Sequence, residues 1–144
     1  SATWTGDNTS SWAHLSLSTT QLSSLGLSGF SYSGADIGGF AGNAPSPELL
    51  TRWIEVGAFN PIMRDHYQKG KPEQEVWVHG AQQENIRRRY IEERYRLMPY
   101  LYGLAEENSR TGLPLMRPVV LDASSNTATY YGPASVQTAG LMRS

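Results

Sequence analysis

The sequence of 144 residues contains no cysteine. This absence excludes a disulfide framework, a thiolate zinc site and a cysteine nucleophile, although it leaves the cellular compartment open. No apolar run approaches the roughly 20 residues that a membrane-spanning helix needs. Positive and negative charges nearly balance, since the formal net charge is -1. Without a basic stripe to collect phosphates, we expect neither nucleic acid nor a membrane as a partner.

The composition that remains is typical of a single globular domain, with 39% hydrophobic and 17% charged residues. The first residues, Ser1-Ala2-Thr3-Trp4, have neither the basic nor the apolar region of a signal peptide. We therefore expect the sequence to begin inside a longer protein.

Capping residues mark two helices. A hydroxyl in the run 9–11 can cap the first, which we expect to end at Gly26, and Ser46 with Pro47 begins the second, which ends near Gly57. The predicted apolar faces are Trp12, Leu15, Leu22 and Leu25 in the first helix, and Leu49, Leu50, Trp53 and Ile54 in the second.

A third and longer helix is predicted over residues 82–108, where apolar residues recur at helical spacing. Pro99 should kink or split it. Arg88 and Glu92 can pair across one turn, and the triplet Arg87-Arg88-Arg89 is interpreted as a solvated face of this helix.

Strands are predicted over 27–37, 58–63 and 113–121, the last at a sheet edge because it contains two prolines. The alternation of helices and strands favours a parallel α/β architecture. Asp7, Asp36 and His66 each fall where a predicted or possible strand ends, which is where such folds carry their ligand chemistry.

Ordered short motifs occupy residues 1–118: Trp4-Thr5-Gly6-Asp7-Asn8, Gly34-Ala35-Asp36-Ile37-Gly38-Gly39-Phe40, Arg52-Trp53, Gly57-Ala58-Phe59, Arg64-Asp65-His66, Arg94-Tyr95, Pro99-Tyr100-Leu101-Tyr102 and Met116-Arg117-Pro118. In order and spacing this succession resembles glycoside hydrolase family 31. The resemblance implies an α/β fold, a partial (β/α)8 TIM barrel. Residues 1–112 would form its C-terminal half, from about the end of strand six to helix eight, and 113–144 the start of a C-terminal β-domain.

By this resemblance Asp7 is the general acid/base, which protonates the departing glycosidic oxygen and then deprotonates the attacking water. Asp36 and His66 match positions that bind sugar hydroxyls, Arg64 matches a nearby polar contact, and Trp4 and Phe40 match aromatic walls. Taken alone, Asp7 also fits a turn that leads into a helix. Likewise Asp36 fits a loop cap, His66 a structural histidine, and Arg64 a partner of Asp65 or Asp36.

Retaining glycosidases need a second carboxylate as nucleophile. In the family it lies in an Asp-Met-Asn-Glu-like motif on the fourth barrel strand, which this sequence lacks. We therefore expect the chain to need the missing N-terminal half of the barrel, and to be inactive and poorly folded without it. The segment after Pro118 follows the family only loosely.

The resemblance implies a fragment of an exo-acting α-glucosidase that hydrolyses terminal α-glucosidic bonds of an oligosaccharide or glucoside and uses no metal or organic cofactor. Trp-Thr-Gly-Asp-Asn favours this branch over α-xylosidases. Alternatives are a transglucosidase or α-xylosidase of the same family, a truncated product that binds sugar without catalysis, and an unrelated α/β binding domain.

Overall fold

A computed structural model describes residues 1–121 and 136–138 of the chain. The elements are β1 (Ala2–Trp4), α1 (Trp12–Leu27), β2 (Tyr32–Gly34), β3 (Asp36–Ile37), α2 (Pro47–Gly57), β4 (Arg64–Asp65), α3 (Ala81–Arg96), α4 (Met98–Thr111), β5 (Met116–Pro118), a 3-10 turn (Val119–Leu121) and β6 (Val136–Thr138).

The strands that precede α3 are short and parallel. β1 pairs with β2, with Trp4 opposite Gly34, and β3 pairs with β4, with Asp36 opposite Arg64. Because only Ala35 separates β2 from β3, the two form one extended run that pairs with β1 at its start and with β4 at its end. The carboxyl ends of these strands therefore meet at one edge, as in a segment of an α/β barrel.

The predicted helix starts are confirmed. The Ser11 hydroxyl accepts a hydrogen bond from the backbone N–H of His14 at 3.2 Å and begins α1. The Ser46 hydroxyl accepts from the N–H of Leu49 at 3.1 Å, with Pro47 at the first position of α2. Each hydroxyl satisfies one of the N–H groups that have no partner within the helix.

The predicted end of the first helix is wrong by a few residues. The residue with left-handed backbone is Gly29, at φ +93°, and the N–H of Phe30 donates to the carbonyl of Leu25 at 2.8 Å, as in a Schellman motif. Gly26 has another role, because a Cβ there would lie 2.8 Å from the carbonyl oxygen of Met116. Gly26 therefore permits close packing of α1 against β5.

The main core lies between α2 and the strands. The predicted apolar face of α2 is buried as expected, whereas Trp12 at the start of α1 is 53% exposed, contrary to the prediction. The principal cluster comprises Leu15, Ala35, Ile37, Leu49, Leu50, Trp53 and Ile54, and a smaller one contains Leu101, Leu104 and Leu115.

The strand predicted over 58–63 is absent. Of the strand predicted over 27–37, only the second half is observed, as β2 and β3. Residues 58–63 instead form turns after α2. The Arg94 guanidinium donates to the carbonyls of Ala58, Asn60 and Pro61 at 2.9, 2.7 and 3.1 Å. A proline in the middle of an apolar run and a side chain that binds successive carbonyls both favour turns over a strand.

The long helical segment is divided at Leu97 into α3 and α4, as Pro99 predicted. The interpretation of the arginine triplet is wrong for Arg87, which is fully buried, while its two neighbours are exposed. Successive residues of a helix point about 100° apart, so three in a row cannot share one face. Arg88 pairs with Glu84 and not with the expected Glu92.

Arg87 joins α3 to α2 and to the loop before α3. Its guanidinium donates to the Thr51 hydroxyl at 2.8 Å, to the Val78 carbonyl at 2.6 Å and to the Pro47 carbonyl at 3.1 Å. Burial lowers the pKa of Arg87. A buried guanidinium is tolerated because its N–H groups find acceptors.

The predicted strand over 113–121 is limited to β5 and followed by the 3-10 turn; β5 pairs antiparallel with β6. The proposed boundary at 112/113 stays a prediction, and most of the predicted β-domain, 122–135 and 139–144, lies outside the described residues. Within the part that is described, no helix is long and apolar enough to cross a membrane.

Candidate active site

The strand ends bring several of the predicted site residues together. Asp36 begins β3 and Arg64 begins β4 directly beside it, so that the Arg64 Nε lies 3.5 Å from Asp36 Oδ1. The same guanidinium lies over the indole of Trp4, 5.5 Å from the ring centroid. Of the two partners considered for Arg64, the structure therefore has Asp36.

The carboxylate of Asp36 is buried without hydrogen-bond donors. The residue is 0% exposed, yet neither carboxylate oxygen accepts a hydrogen bond, because the contact with Arg64 has ion-pair distance without hydrogen-bond geometry. Burial raises the pKa of Asp36, the charges of Arg64 and His66 lower it, and the charge of Asp7 raises it. A buried carboxylate without donors can accept hydrogen bonds from a ligand that carries hydroxyl groups.

Phe40 and His66 form an aromatic pair beside these charges. Their rings are stacked with centroids 5.2 Å apart and an interplanar angle of 24°. The His66 ring is exposed, and its charge acts on Asp36. Trp4 is 47% exposed. The stack and the indole supply flat apolar surface next to polar groups, which suits a sugar ring.

Asp7 lies three residues after β1 and is exposed. Its position is fixed through the next residue, Asn8, which is buried. The Asn8 amide nitrogen donates to the Asp36 carbonyl at 3.0 Å, and its amide oxygen accepts from the N–H of Phe40 at 2.9 Å. Asn8 thus ties the loop of Asp7 to the loop of Asp36 and Phe40. It also fits the pattern of a glycan acceptor, but both ends of its amide are already bonded.

The loops after β1 and β3 approach so closely that only glycine fits between them. A Cβ on Gly39, whose φ is +89°, would lie 2.3 Å from the backbone nitrogen of Ser10. The backbone closes the contact with a hydrogen bond from the N–H of Ala41 to the Asn8 carbonyl at 2.9 Å.

The loop before α3 supports the same region. Gln74 is fully buried and donates to the Ile37 carbonyl at 3.1 Å. Lys71, in the same loop, donates hydrogen bonds to the loop of Asp7 and to the loop of Phe40. The sequence carried no signal for Lys71, and it showed Asn8 only as a member of a motif, without its contacts.

The other histidines have structural partners. The N–H of Thr9 donates to His14 Nδ1 at 3.0 Å, and His79 Nδ1 lies 3.0 Å from a nitrogen of Arg87. Among the residues described, no group of three or more histidine, aspartate or glutamate side chains is arranged to hold a metal ion.

The parallel strands β1 to β4, the helices between them and the polar site at the ends of the strands are features of an α/β barrel enzyme. Residues 1–104 match the profile of the glycosyl hydrolases family 31 TIM-barrel domain. The chain belongs to glycoside hydrolase family 31 and forms a partial TIM barrel, which confirms the resemblance read from the sequence.

Similar proteins of this family are α-glucosidases. The chain is 45% identical over 129 residues to a probable glucan 1,3-alpha-glucosidase of Arabidopsis thaliana, a match that covers 90% of this chain and 14% of that protein. It is 46% identical over 129 residues to alpha-glucosidase 2 of Bacillus thermoamyloliquefaciens, covering 90% of this chain and 16% of that protein. The chain therefore spans only a small part of the length of these relatives.

Solved structures of α-glucosidases superpose on most of this chain. The family 31 alpha-glucosidase from Bacteroides thetaiotaomicron superposes with a TM-score of 0.78 at 50% identity, over 83% of this chain and 20% of that one. The glucosidase II alpha subunit superposes with a TM-score of 0.81 at 35% identity, over 84% of this chain and 13% of that one.

Proposed function

We propose that this chain is the acid/base and sugar-binding part of a retaining, exo-acting α-glucosidase that hydrolyses terminal α-glucosidic bonds. The observation that carries the proposal is the fully buried Asp36, whose ion-pair partner Arg64 lies over Trp4 and whose two carboxylate oxygens lack hydrogen-bond donors. Such a group is costly unless a ligand supplies the donors, and sugar hydroxyls do so.

In this proposal residues 1–112 form the barrel from about the end of strand six to helix eight, and residues 113–144 begin a C-terminal β-domain. The rest of the barrel, with the nucleophile, belongs to the remainder of a longer protein. The small share of each relative that the chain covers supports this division.

Asp7 acts as the general acid/base. Its carboxyl group gives its proton to the glycosidic oxygen while the nucleophile forms a bond to the anomeric carbon and the aglycone leaves. The Asp7 carboxylate then takes a proton from the water that releases the sugar with retained configuration. The exposed position of Asp7, beside the buried Asp36 that it influences, fits a group at the mouth of a sugar pocket.

The terminal sugar is bound by Asp36 and His66 through its hydroxyls, with Arg64 as a neighbouring polar contact. Trp4 and Phe40 cover its apolar faces. A site of this kind discriminates strongly, because a missing hydroxyl leaves its buried partner unpaired.

The test is an assay of the full-length protein with an aryl α-glucoside and the matching aryl α-xyloside. We expect the glucoside to be cleaved at least tenfold more efficiently, because the xyloside lacks the C6 hydroxymethyl group and its contacts. Preferred cleavage of the xyloside would contradict the substrate class. Glucosyl products longer than the substrate, in place of free glucose, would indicate a transglucosidase, and no turnover of either would indicate a sugar-binding product without catalysis.

A further inference from the structure

Lys71 joins three loops at the edge of the candidate site. It lies in the loop between β4 and α3 and is half-buried. Its Nζ donates to the Gly39 carbonyl at 2.9 Å and to the Ser10 hydroxyl at 3.0 Å, and it lies 3.4 Å from the Ala41 carbonyl. Ser10 belongs to the loop of Asp7, and the two carbonyls flank Phe40.

These contacts join residues that are far apart in the sequence, since Lys71 and Ser10 are separated by 61 positions. The Lys71 loop is held at a second point by a hydrogen bond from the N–H of Gln68 to the Phe40 carbonyl at 3.1 Å. Ser10 in turn donates its N–H to the Ala41 carbonyl at 3.3 Å. The lysine therefore completes a three-loop junction that begins with backbone bonds between the loops of Asp7 and Phe40.

The chemistry of the junction is specific for a cation with several donors. An ammonium group can place its three N–H bonds on separate acceptors, and all the acceptors here are neutral oxygens. Burial lowers the pKa of Lys71. A surface ammonium would be better solvated in water, so the position costs stability that a purely solvent-exposed lysine would not incur.

We propose that Lys71 is a positioning residue for the acid/base: it holds the loop of Asp7 against the loop of Phe40, so that the Asp7 carboxyl reaches the glycosidic oxygen. The inference rests on the proposed function, because it assigns Lys71 to the proton-transfer step of that reaction. A displacement of about 1 Å at a catalytic group can lower the rate by about 10²-fold.

The test uses the leaving group to distinguish a defect in proton transfer from a general loss of active-site structure. An unactivated glucoside such as methyl α-glucoside needs a proton on its departing oxygen, whereas fluoride leaves α-glucosyl fluoride with little protonation. In the full-length protein we expect Lys71→Met to lower kcat/KM by about 10- to 10²-fold for the methyl glucoside and by less than about threefold for the fluoride. Lys71→Met removes the charge while keeping the length of the side chain.

The matched control is Lys69→Met, in the same loop, where the lysine is exposed and makes no hydrogen bond with the described residues. This variant should leave kcat/KM for both substrates unchanged. Ser10→Ala removes only the link to the Asp7 loop and should show the same substrate dependence with a smaller loss. In the double variant the two effects should not add, because both act through one contact.

Equal losses on both substrates, or no loss on either, would overturn the positioning role. If Lys71→Met fails to fold, Ser10→Ala decides the question by the same comparison. If Asp7→Asn itself shows no dependence on the leaving group, the acid/base assignment fails, and the role of Lys71 fails with it. If only the Lys71 and Ser10 variants lack that dependence, the proposed function stands and the positioning role is wrong.

Discussion

Asp7→Asn in the full-length protein is expected to lower kcat/KM for methyl α-glucoside by about 10²- to 10⁴-fold, the usual contribution of a positioned general acid. The carboxamide keeps the shape of the side chain but cannot donate a proton to the departing oxygen. For α-glucosyl fluoride the loss should be less than about tenfold, since fluoride needs little protonation. The measurement is kcat/KM, which reports steps up to formation of the glycosyl-enzyme and so isolates the acid role.

The control for this variant is Glu92→Gln, at an exposed position of α3 remote in sequence from the site loops. It neutralises a carboxylate in the same way and should leave kcat/KM for both substrates unaffected. An Asp7→Asn variant that retains full activity on methyl α-glucoside, with its melting temperature unchanged, would remove Asp7 from the reaction.

Asp36→Asn is expected to lower kcat/KM for α-glucosides by about 10²- to 10⁴-fold. If the buried carboxylate accepts two hydroxyl groups, each charge-assisted hydrogen bond contributes about 1.5–3 kcal/mol. The amide of asparagine has only one acceptor oxygen and carries no charge. Removal of the charge also leaves Arg64 without its ion-pair partner.

Monodeoxy glucosides show whether the loss arises from sugar binding. For the one or two analogues that lack a hydroxyl bound by Asp36, the ratio of wild-type to variant kcat/KM should fall at least tenfold, because the contact is already missing. A ratio that is the same for every deoxy analogue would show that Asp36 stabilises the loops and does not bind the sugar. Melting temperatures of wild type and variant identify losses caused by unfolding.

The pKa of Asp36 adds a pH dependence to the same site. Burial raises the pKa above its usual value, and the hydroxyl donors of a bound sugar favour the ionised form. Affinity for the sugar should therefore decrease as the pH falls through the pKa of the unliganded site.

Local signals in the sequence predicted much of the fold. Ser46 and Pro47 mark the start of α2 because their roles are decided within one helical turn, and the spacing of Leu50, Trp53 and Ile54 indicates the buried face. The division at Leu97 follows from Pro99. Each of these predictions depends on interactions between residues close in the chain.

The errors arose where distant residues decide the outcome. Gly26 looked like a helix end, but its lack of a side chain is required by Met116, 90 positions later. Arg87 looked solvated, but its acceptors include Thr51, 36 positions earlier. Composition and periodicity contain no information about such pairs.

The candidate site likewise contains residues that the sequence predicted and residues whose roles depend on distant contacts. Ordered motifs singled out Asp7, Asp36 and His66, and the structure places Asp36 beside Arg64 and within the electrostatic influence of the other two. Their roles remain proposals. The roles of Asn8 and Lys71 in holding the loops together were found only through their contacts across 28 to 61 positions.

The most direct measurement is a crystal structure of the full-length Asp7→Asn variant with an uncleaved α-linked glucose disaccharide. The proposed function predicts the terminal glucose with its hydroxyls on Asp36 and His66, and the residue 7 carboxamide about 2.7–3.2 Å from the glycosidic oxygen. A disaccharide bound away from Asp36, or a residue 7 side chain more than about 5 Å from the glycosidic oxygen, beyond hydrogen-bond reach, would contradict it.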